Sequence, residues 1–331
     1  HEVTLRVEAE VLGEVPPPQP QTANGKTDSL PLLPLEIPGY RIIETLRDGA
    51  MGRVYRARQT SVDRPVAIKV LHEKFAGQPE YAERLRLEAQ MTARLSHGHI
   101  VQVIDAGEVN GHHFLVTEFV EGETVQDRLD RHEVFDEPEA ITIALDVAEA
   151  LAHIQERGLV HRDIKPANVI LNARGGVKLI DLGLARPIDD PDWAVAEAGM
   201  AVGTPEYISP EQVRGQVDLD IRSDIYSLGA SLYHMITGVV PYPGKTTAEV
   251  MQKHVDRDVA LVPPEEINPR VSQALGSIVG TMLAKNREDR YRDPVELILE
   301  LNRLRSGGSS ALVEQGSFRG PSEFRAREIL E

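Results

Sequence analysis

The chain has 331 residues, enough for one large domain or two moderate ones, and its 41% hydrophobic and 27% charged residues are typical of globular proteins. The formal net charge of −16 disfavours nucleic acid and anionic lipid as partners, because both are negatively charged. Cysteine is absent, which excludes disulfide bonds, thiolate catalysis and cysteine-based zinc sites.

The two ends of the chain differ from its middle. Residues 1–14 include the alternating pattern EVTLRVE, which predicts a short strand, interpreted as the edge of another domain. Prolines are dense over 15–37 and predict an extended linker. Glycine and serine are frequent over 306–331, where we expect a flexible tail.

No stretch has the pattern of a membrane span, since the longest apolar run, 225–242, contains a histidine and several hydroxyl groups. We therefore expect a cytoplasmic chain without membrane contact from this segment. The possibility that it is the cytosolic part of a larger or membrane-anchored protein stays open.

The region 38–305 changes in character along its length. Strand-like segments surround a single predicted helix at about 79–95, and helices dominate from residue 136. The first of these later helices has Asp136 as its predicted N-cap, Pro138 in its first turn and Glu139 completing a capping box. Further helices are predicted at about 223–237, 246–255, 271–284 and 294–305. This order predicts an α+β fold with a small β-rich lobe, a larger helical lobe and a cleft between them.

Two charged residues lie within apolar patterns of the first lobe. Lys69 is flanked by Ile68 and Val70 in a predicted strand, and Glu88 shares the apolar face of the 79–95 helix. Because an unpaired buried charge costs several kcal/mol, each residue is the natural partner of the other. The alternative is that Lys69 faces solvent and that Glu88 lies at the edge of its apolar stripe.

The segment LVHRDIKPANVILN, 159–172, places three polar residues between apolar runs. Asp163 can accept a proton or orient a hydroxyl group, Lys165 can neutralise a phosphoryl group, and the amide oxygen of Asn168 can ligate a metal. Asp181 follows the apolar run VKLI and is a suitable ligand for Mg²⁺. Each piece alone is also compatible with an ordinary turn.

Taken together, these segments closely resemble the protein kinase family, in particular the eukaryotic-like Ser/Thr kinases of bacteria. The resemblance covers about 38–305, with an N-lobe at about 38–118 and a C-lobe at about 121–305. The matching motifs are VAIK, HRDIKPAN, DLG, GTPEYISPE, RSDIYSLG and NREDRY.

The resemblance implies γ-phosphoryl transfer from ATP to Ser or Thr hydroxyls of protein substrates. Asp163 would accept the substrate proton, Lys165 would neutralise the transferred group, and Asn168 with Asp181 would hold Mg²⁺ or Mn²⁺. Lys69 would bind the α- and β-phosphates. Its partner would be Glu88.

The resemblance also assigns an ATP pocket and structural supports. The adenine would lie among Leu46, Val54, Ala67 and Ile170, and the phosphates under a loop containing Gly49 and Gly52. Thr117 would be the gatekeeper, while backbone groups of Glu118 and Val120 would bind the adenine edge. Asp224 would brace the catalytic loop, and Glu211 would pair with Arg290.

Three positions depart from the family pattern. Arg47 stands where the phosphate loop usually has its first glycine, and we expect it to tune ATP affinity or the mobility of the loop without abolishing activity. Leu182 gives DLG instead of DFG. Between Asp181 and Thr204 there is no Ser, Thr or Tyr, so no phosphate can form there to meet Arg162.

The segment between Asp181 and Thr204 carries four acidic residues instead. Either one of them replaces the phosphate at Arg162, or all four belong to a solvated loop. These residues are Asp189, Asp190, Asp192 and Glu197.

Two other functions remain open at this stage. One is a pseudokinase or weakly active ATP-binding scaffold, supported by Arg47 and the phosphosite-free loop. The other is a small-molecule phosphotransferase, against which the GTPEYISPE segment argues. A homodimer is compatible with the resemblance, and the sequence names no substrate.

Overall fold

The structure is a computed structural model that describes residues 36–49, 52–76, 78–172, 175–182, 185–188, 199 and 201–307. It divides into two compact units. The first extends to residue 93 and adds 102–119, and the second comprises 94–101 and the chain from 120 onward. The predicted strand within 1–14, nearly all of the 15–37 linker and the tail after residue 307 lie outside the described residues.

The first unit is built on an antiparallel sheet in the order β1-β2-β3-β5-β4. Two helices, one short and one of four turns, accompany it. The elements are β1 Tyr40–Asp48, β2 Gly52–Gln59, β3 Arg64–Leu71, α1 Glu73–Ala76, α2 Pro79–Ala93, β4 Val103–Val109 and β5 His112–Glu118.

The first sheet buries a different set of residues on each face because side chains alternate along a strand. On β3, Val66, Ile68 and Val70 are buried in one apolar core with Tyr55. The opposite face packs Leu71 against Leu85, Ala89 and Leu115. Helix α2 therefore lies beside the face on which Lys69 stands. It ends two residues before the predicted limit, so that Leu95 follows the helix.

The second unit contains two small sheets, in the orders β6-β8-β9 and β10-β7. Helices make up most of the regular secondary structure in its described part. The strands are β6 Gly122–Thr124, β7 Leu159–Val160, β8 Val169–Asn172, β9 Val177–Leu179 and β10 Arg186–Pro187. The helices are α3 Val125–Asp130, α4 Glu137–Glu156, α5 Pro210–Val213, α6 Ile221–Thr237, α7 Thr247–Val255, α8 Pro264–Ile267, α9 Gln273–Met282 and α10 Pro294–Arg305, with 3₁₀ turns at Pro166–Asn168 and Arg287–Asp289.

Helix α4 forms the centre of this unit, packing against α6 and α10. Its N-cap is Asp136, as predicted, and the carboxylate accepts the backbone N–H of Glu139 at 2.9 Å. The predicted capping box is wrong in its second half, because the Glu139 carboxylate instead binds the guanidinium of Arg128. A nearby cation competes successfully with the backbone N–H that a capping box would satisfy.

Helix α6 contains most of the apolar run 225–242. It buries Tyr226 and Tyr233 and ends at Gly238, whose φ of 76° gives the left-handed cap that glycine favours. None of the helices in the described part of the chain is both long and apolar enough to cross a membrane.

Candidate active site

In the first unit, the Lys69 ammonium lies 3.1 and 3.2 Å from the two carboxylate oxygens of Glu88. The predicted ion pair is therefore present. The side chain of Glu88 is 6% exposed and that of Lys69 is 23% exposed, so the glutamate is buried while the lysine is only partly buried. Helix α2 supplies the anion and strand β3 the cation.

Two of the predicted adenine-binding residues, Val54 and Ala67, share the sheet face of Lys69. Val54 is opposite Lys69 in the β2–β3 register, and opposite residues of antiparallel strands project to the same side. Ala67 is two positions before Lys69 and pairs with Thr117 on β5. Leu46 on β1 is 45% exposed. These four residues and Lys69 all belong to the first unit.

The two glycines of the predicted phosphate loop close the β1–β2 hairpin. The N–H of Gly49 donates to the carbonyl of Gly52 at 3.0 Å. A Cβ added to Gly52 would stand 2.5 Å from the carbonyl oxygen of Val70, closer than real Cβ atoms come. Sheet packing therefore requires glycine at position 52, independently of any phosphate. Arg47 is exposed on β1 opposite Val54.

The residues predicted to bind the adenine edge fall in different units, Glu118 in the first and Val120 in the second. The backbone N–H of Glu118 donates to the carbonyl of Gln102 at 2.9 Å. That N–H is therefore already paired within the first unit, and the backbone role predicted for Glu118 stays a prediction. Ile170 is half-buried on β8 in the second unit.

Asp163 in the second unit is surrounded by donors. Its Oδ1 accepts the hydroxyl of Thr204 at 2.7 Å, and its Oδ2 lies 2.6 Å from the ammonium of Lys165. Lys165 also donates to the hydroxyl of Thr204 at 2.7 Å. The three residues form a closed triangle in which an aliphatic hydroxyl contacts both a carboxylate and an ammonium. The side chain of Asp163 is 12% exposed.

Asn168 is oriented by the same carboxylate. Its amide nitrogen donates to the backbone carbonyl of Asp163 at 2.9 Å and to its Oδ2 at 3.2 Å. With both amide hydrogens directed at Asp163, the amide oxygen is the atom suited to a cation. The backbone N–H of Ile180 donates to the carbonyl of Asn168 at 2.8 Å, so the chain just before Asp181 is tied to this residue.

Asp181 adopts φ of 63°, a left-handed conformation that is uncommon for a residue with a side chain. The described residues contain no group of three or more His, Cys, Asp or Glu side chains arranged to hold a metal. A site with one carboxylate and one amide oxygen still fits Mg²⁺ that arrives with phosphate ligands, because Mg²⁺ bound to nucleotides takes few protein ligands.

Asp224, from α6, holds the backbone of the catalytic loop. Its two carboxylate oxygens accept the N–H groups of His161 and Arg162, each at 2.7 Å. Burial raises the pKa of Asp224 to about 7, although both N–H donors oppose that shift. Burial also lowers the pKa of His161 to about 4, which keeps this imidazole neutral near pH 7.

The importance of Gln212 was not predicted from the sequence. Its side-chain amide donates to the carbonyls of Arg162 and Val202, at 2.8 and 3.0 Å. Its own oxygen accepts the N–H and hydroxyl of Ser209 in a complete capping box at the start of α5. The spacing of Ser209 and Gln212 is the capping-box signal that could have revealed it.

Glu211 and Arg290 form the expected ion pair, with distances of 2.7 and 2.9 Å. Burial alone would raise the pKa of Glu211, but the hydrogen bonds and charge of Arg290 outweigh it and the pKa is lowered. Ser223 adds a third hydrogen bond to this carboxylate, at 2.6 Å.

The four acidic residues predicted to meet Arg162, together with Gly183, lie outside the described residues. The choice between a phosphate substitute and a solvated loop therefore stays a prediction.

A family model described as protein kinase domain matches residues 40–299. The chain is 37% identical over 273 residues to the probable serine/threonine-protein kinase PknB of Corynebacterium glutamicum. It is 38% identical over 272 residues to the serine/threonine-protein kinases PknB of Mycobacterium leprae and Mycobacterium tuberculosis.

These matches cover 80–81% of this chain and 42–43% of each relative. The chain thus spans about two fifths of the length of the curated relatives it matches.

Proposed function

Because the chain belongs to the protein kinase family, we propose that it transfers the γ-phosphoryl group of ATP to Ser or Thr hydroxyls of protein substrates. The single observation that supports this most strongly is the triangle of Asp163, Lys165 and Thr204. It combines an acceptor for a hydroxyl proton with a cation for a phosphoryl group.

Asp163 has the chemistry of the residue that orients the attacking hydroxyl. Its carboxylate already accepts a hydroxyl hydrogen from Thr204 at 2.7 Å. In the transfer, the substrate oxygen forms a bond to phosphorus, the bond to the ADP oxygen breaks, and Asp163 accepts the hydroxyl proton. The nearby ammonium of Lys165 offsets negative charge on the transferred group.

ATP supplies the phosphoryl group, and a divalent cation bound with it offsets the charge of the phosphates. We assign the cation as Mg²⁺, with Mn²⁺ as a substitute, to the amide oxygen of Asn168 and the carboxylate of Asp181. Both are hard oxygen ligands, which Mg²⁺ prefers. In the first unit, the partly exposed Lys69 is the residue proposed for the α- and β-phosphates, and Glu88 holds its ammonium in place.

The deciding experiment incubates the purified chain with Mg-ATP and a generic basic protein and measures phosphate transfer. Replacing Asp163 by Asn should lower the rate by about a hundredfold to ten-thousandfold, the range attributed to a positioned general base. Asp105→Asn is a matched control, because that carboxylate contacts the hydroxyl of Tyr40 in the first unit. It should retain the wild-type rate within about twofold, as expected for an exposed polar contact.

The same experiment separates the alternatives. Phosphoamino acid analysis should find phosphoserine or phosphothreonine. Nucleotide binding without transfer to any protein or small-molecule acceptor would instead identify a pseudokinase. Phosphate transfer to small-molecule acceptors alone would identify a phosphotransferase of that class. A homodimer and a cytoplasmic location stay predictions.

A further inference from the structure

The side chain of the residue that follows strand β3 contacts the turn between β1 and β2. His72 follows Leu71, the last residue of β3, and its Nε2 lies 2.8 Å from the carbonyl oxygen of Gly49. The same nitrogen lies 3.1 Å from Oδ1 of Asp48. Both neighbours are hydrogen-bond acceptors, so Nε2 must carry a hydrogen. This fixes the role of the imidazole as a donor toward the hairpin.

Asp48 links this contact to the other strand of the hairpin. Its Oδ2 accepts from Nε of Arg53 at 2.9 Å and from Nη2 at 2.5 Å. Asp48 and Arg53 are also opposite residues in the β1–β2 register. His72, Asp48 and Arg53 therefore connect three consecutive strands at the end where Gly49 begins the turn.

The backbone hydrogen bond is the more important part of this contact. Side-chain exposure is 25% for His72 and 34% for Asp48, and solvent weakens an ion pair between such groups. The contact to Gly49 instead fixes a carbonyl at the first residue of the turn. A fixed carbonyl at this position restricts the conformations open to the turn, and backbone N–H groups are the ones that contact phosphate in glycine-rich loops.

We propose that His72 is a positioning residue that presets the Gly49 end of the nucleotide loop for ATP phosphates. This inference rests on the proposed function, since it assumes that the loop covers ATP. His72 contacts neither the phosphates nor the reacting atoms, and acts through the carbonyl of Gly49. We call the hydrogen bond from His72 to the carbonyl of Gly49 the tether. Loss of the tether should weaken ATP binding more than it slows turnover, because a loop that is already ordered lowers the entropic cost of binding.

Two variants of His72 separate the hydrogen bond from the side chain's bulk. His72→Leu removes the donor, and we expect the KM for ATP to rise about threefold to tenfold, the range expected for one hydrogen bond, with kcat changed by less than about twofold. His72→Gln retains an N–H donor and should restore KM to within about twofold of the wild-type value. Unchanged KM in the leucine variant, or an equal rise in both variants, would overturn the proposal.

A second histidine on the same sheet provides the control. His113 is 23% exposed and lies 3.8 Å from the carboxylate of Glu108, so its environment resembles that of His72 without contact to the hairpin. His113→Leu should leave the KM for ATP unchanged. A rise equal to that of His72→Leu would show that loss of any such histidine perturbs the sheet, and would count against a specific tether.

Hydrogen exchange tests the tether without catalysis. In a peptide covering 44–56, exchange should be faster in His72→Leu than in the wild type, and His72→Gln should again resemble the wild type. If the proposed function fails, the wild-type chain transfers no phosphate, but this difference in exchange persists. If only the tether fails, the wild-type chain transfers phosphate and the three proteins exchange alike.

Discussion

Among the described residues, each unit offers a buried carboxylate paired with a cation, Glu88 with Lys69 in the first and Glu211 with Arg290 in the second, and the two pairs differ in how far the cation is buried. In the second unit, the side chain of Arg290 is 0% exposed and that of Glu211 is 4% exposed. In the first unit, Glu88 is nearly as buried at 6%, but Lys69 is 23% exposed. The two carboxylates are therefore buried to a similar extent, whereas the two cations are not.

The hydrogen bonds of Arg290 explain why its pair is structural. Its guanidinium contacts both oxygens of Glu211 and also donates to the carbonyls of Ala284 and Arg222, at 2.8 and 3.0 Å. Buried donors that are satisfied within the protein leave nothing to offer a ligand. The side chain of Lys69 is instead partly exposed beside its buried partner, as is expected of the lysine proposed to bind phosphate.

The largest effect on stability is expected when the fully buried pair is broken. Arg290→Met should lower the free energy of unfolding by about 3–5 kcal/mol, because it leaves the buried carboxylate of Glu211 uncompensated. Urea denaturation measures this loss. The double variant Arg290→Met with Glu211→Leu should recover part of it, since no buried charge remains. A single-variant loss below about 1 kcal/mol would contradict a structural role.

The partly exposed pair of Lys69 and Glu88 should matter more for activity than for stability. Lys69→Met should lower kcat/KM for ATP by about a hundredfold or more, as does removal of a preorganised electrostatic contact. Its loss of unfolding free energy should be about 1–3 kcal/mol, smaller than that of Arg290→Met, because solvent can reach the space that the partly exposed Lys69 side chain leaves beside Glu88.

Lys74→Met provides a matched control for this variant. That ammonium lies 4.8 Å from the ring centroid of Phe75, and its loss should leave kcat/KM within about twofold. If Lys69→Met loses stability as much as Arg290→Met while retaining activity, the distinction between the pairs is wrong.

The smallest effect is expected for an exposed pair of similar geometry. Arg287 lies 2.5 Å from the carboxylate of Asp218, whose side chain is 63% exposed. Asp218→Asn should change the free energy of unfolding by less than about 1 kcal/mol, because water screens this contact. Urea denaturation of Asp218→Asn, compared with that of Arg290→Met, tests this expectation. A loss as large as that of the buried pair would show that burial is not the deciding variable.

Local patterns predicted the fold class and most elements correctly. The β-rich first unit, the helix that carries Glu88 and the helical second unit all follow from the period of apolar residues. The N-cap at Asp136 could also be predicted, because a cap involves residues that are only a few positions apart in the sequence. Its capping box was wrong because the guanidinium of Arg128, distant in sequence, binds Glu139.

Local spacing also placed Asp163, Lys165 and Asn168 in one loop, where the structure finds them in contact. The sequence did not show that Gln212 supports this loop, nor that His72 contacts the turn at Gly49. It assigned Gly52 to phosphate binding, whereas the structure shows an additional demand from the carbonyl of Val70.

The sequence by itself thus determined which residue types stand together along each strand, loop and helix, because those relations depend on short distances in the chain. Only the tertiary structure decided which distant side chains share a hydrogen bond. Gln212 meets Arg162 across 50 positions and His72 meets Gly49 across 23, and neither contact was predicted from the sequence. Partners so far apart depend on how whole helices and sheets pack, and packing also determines which cation is buried and which remains accessible.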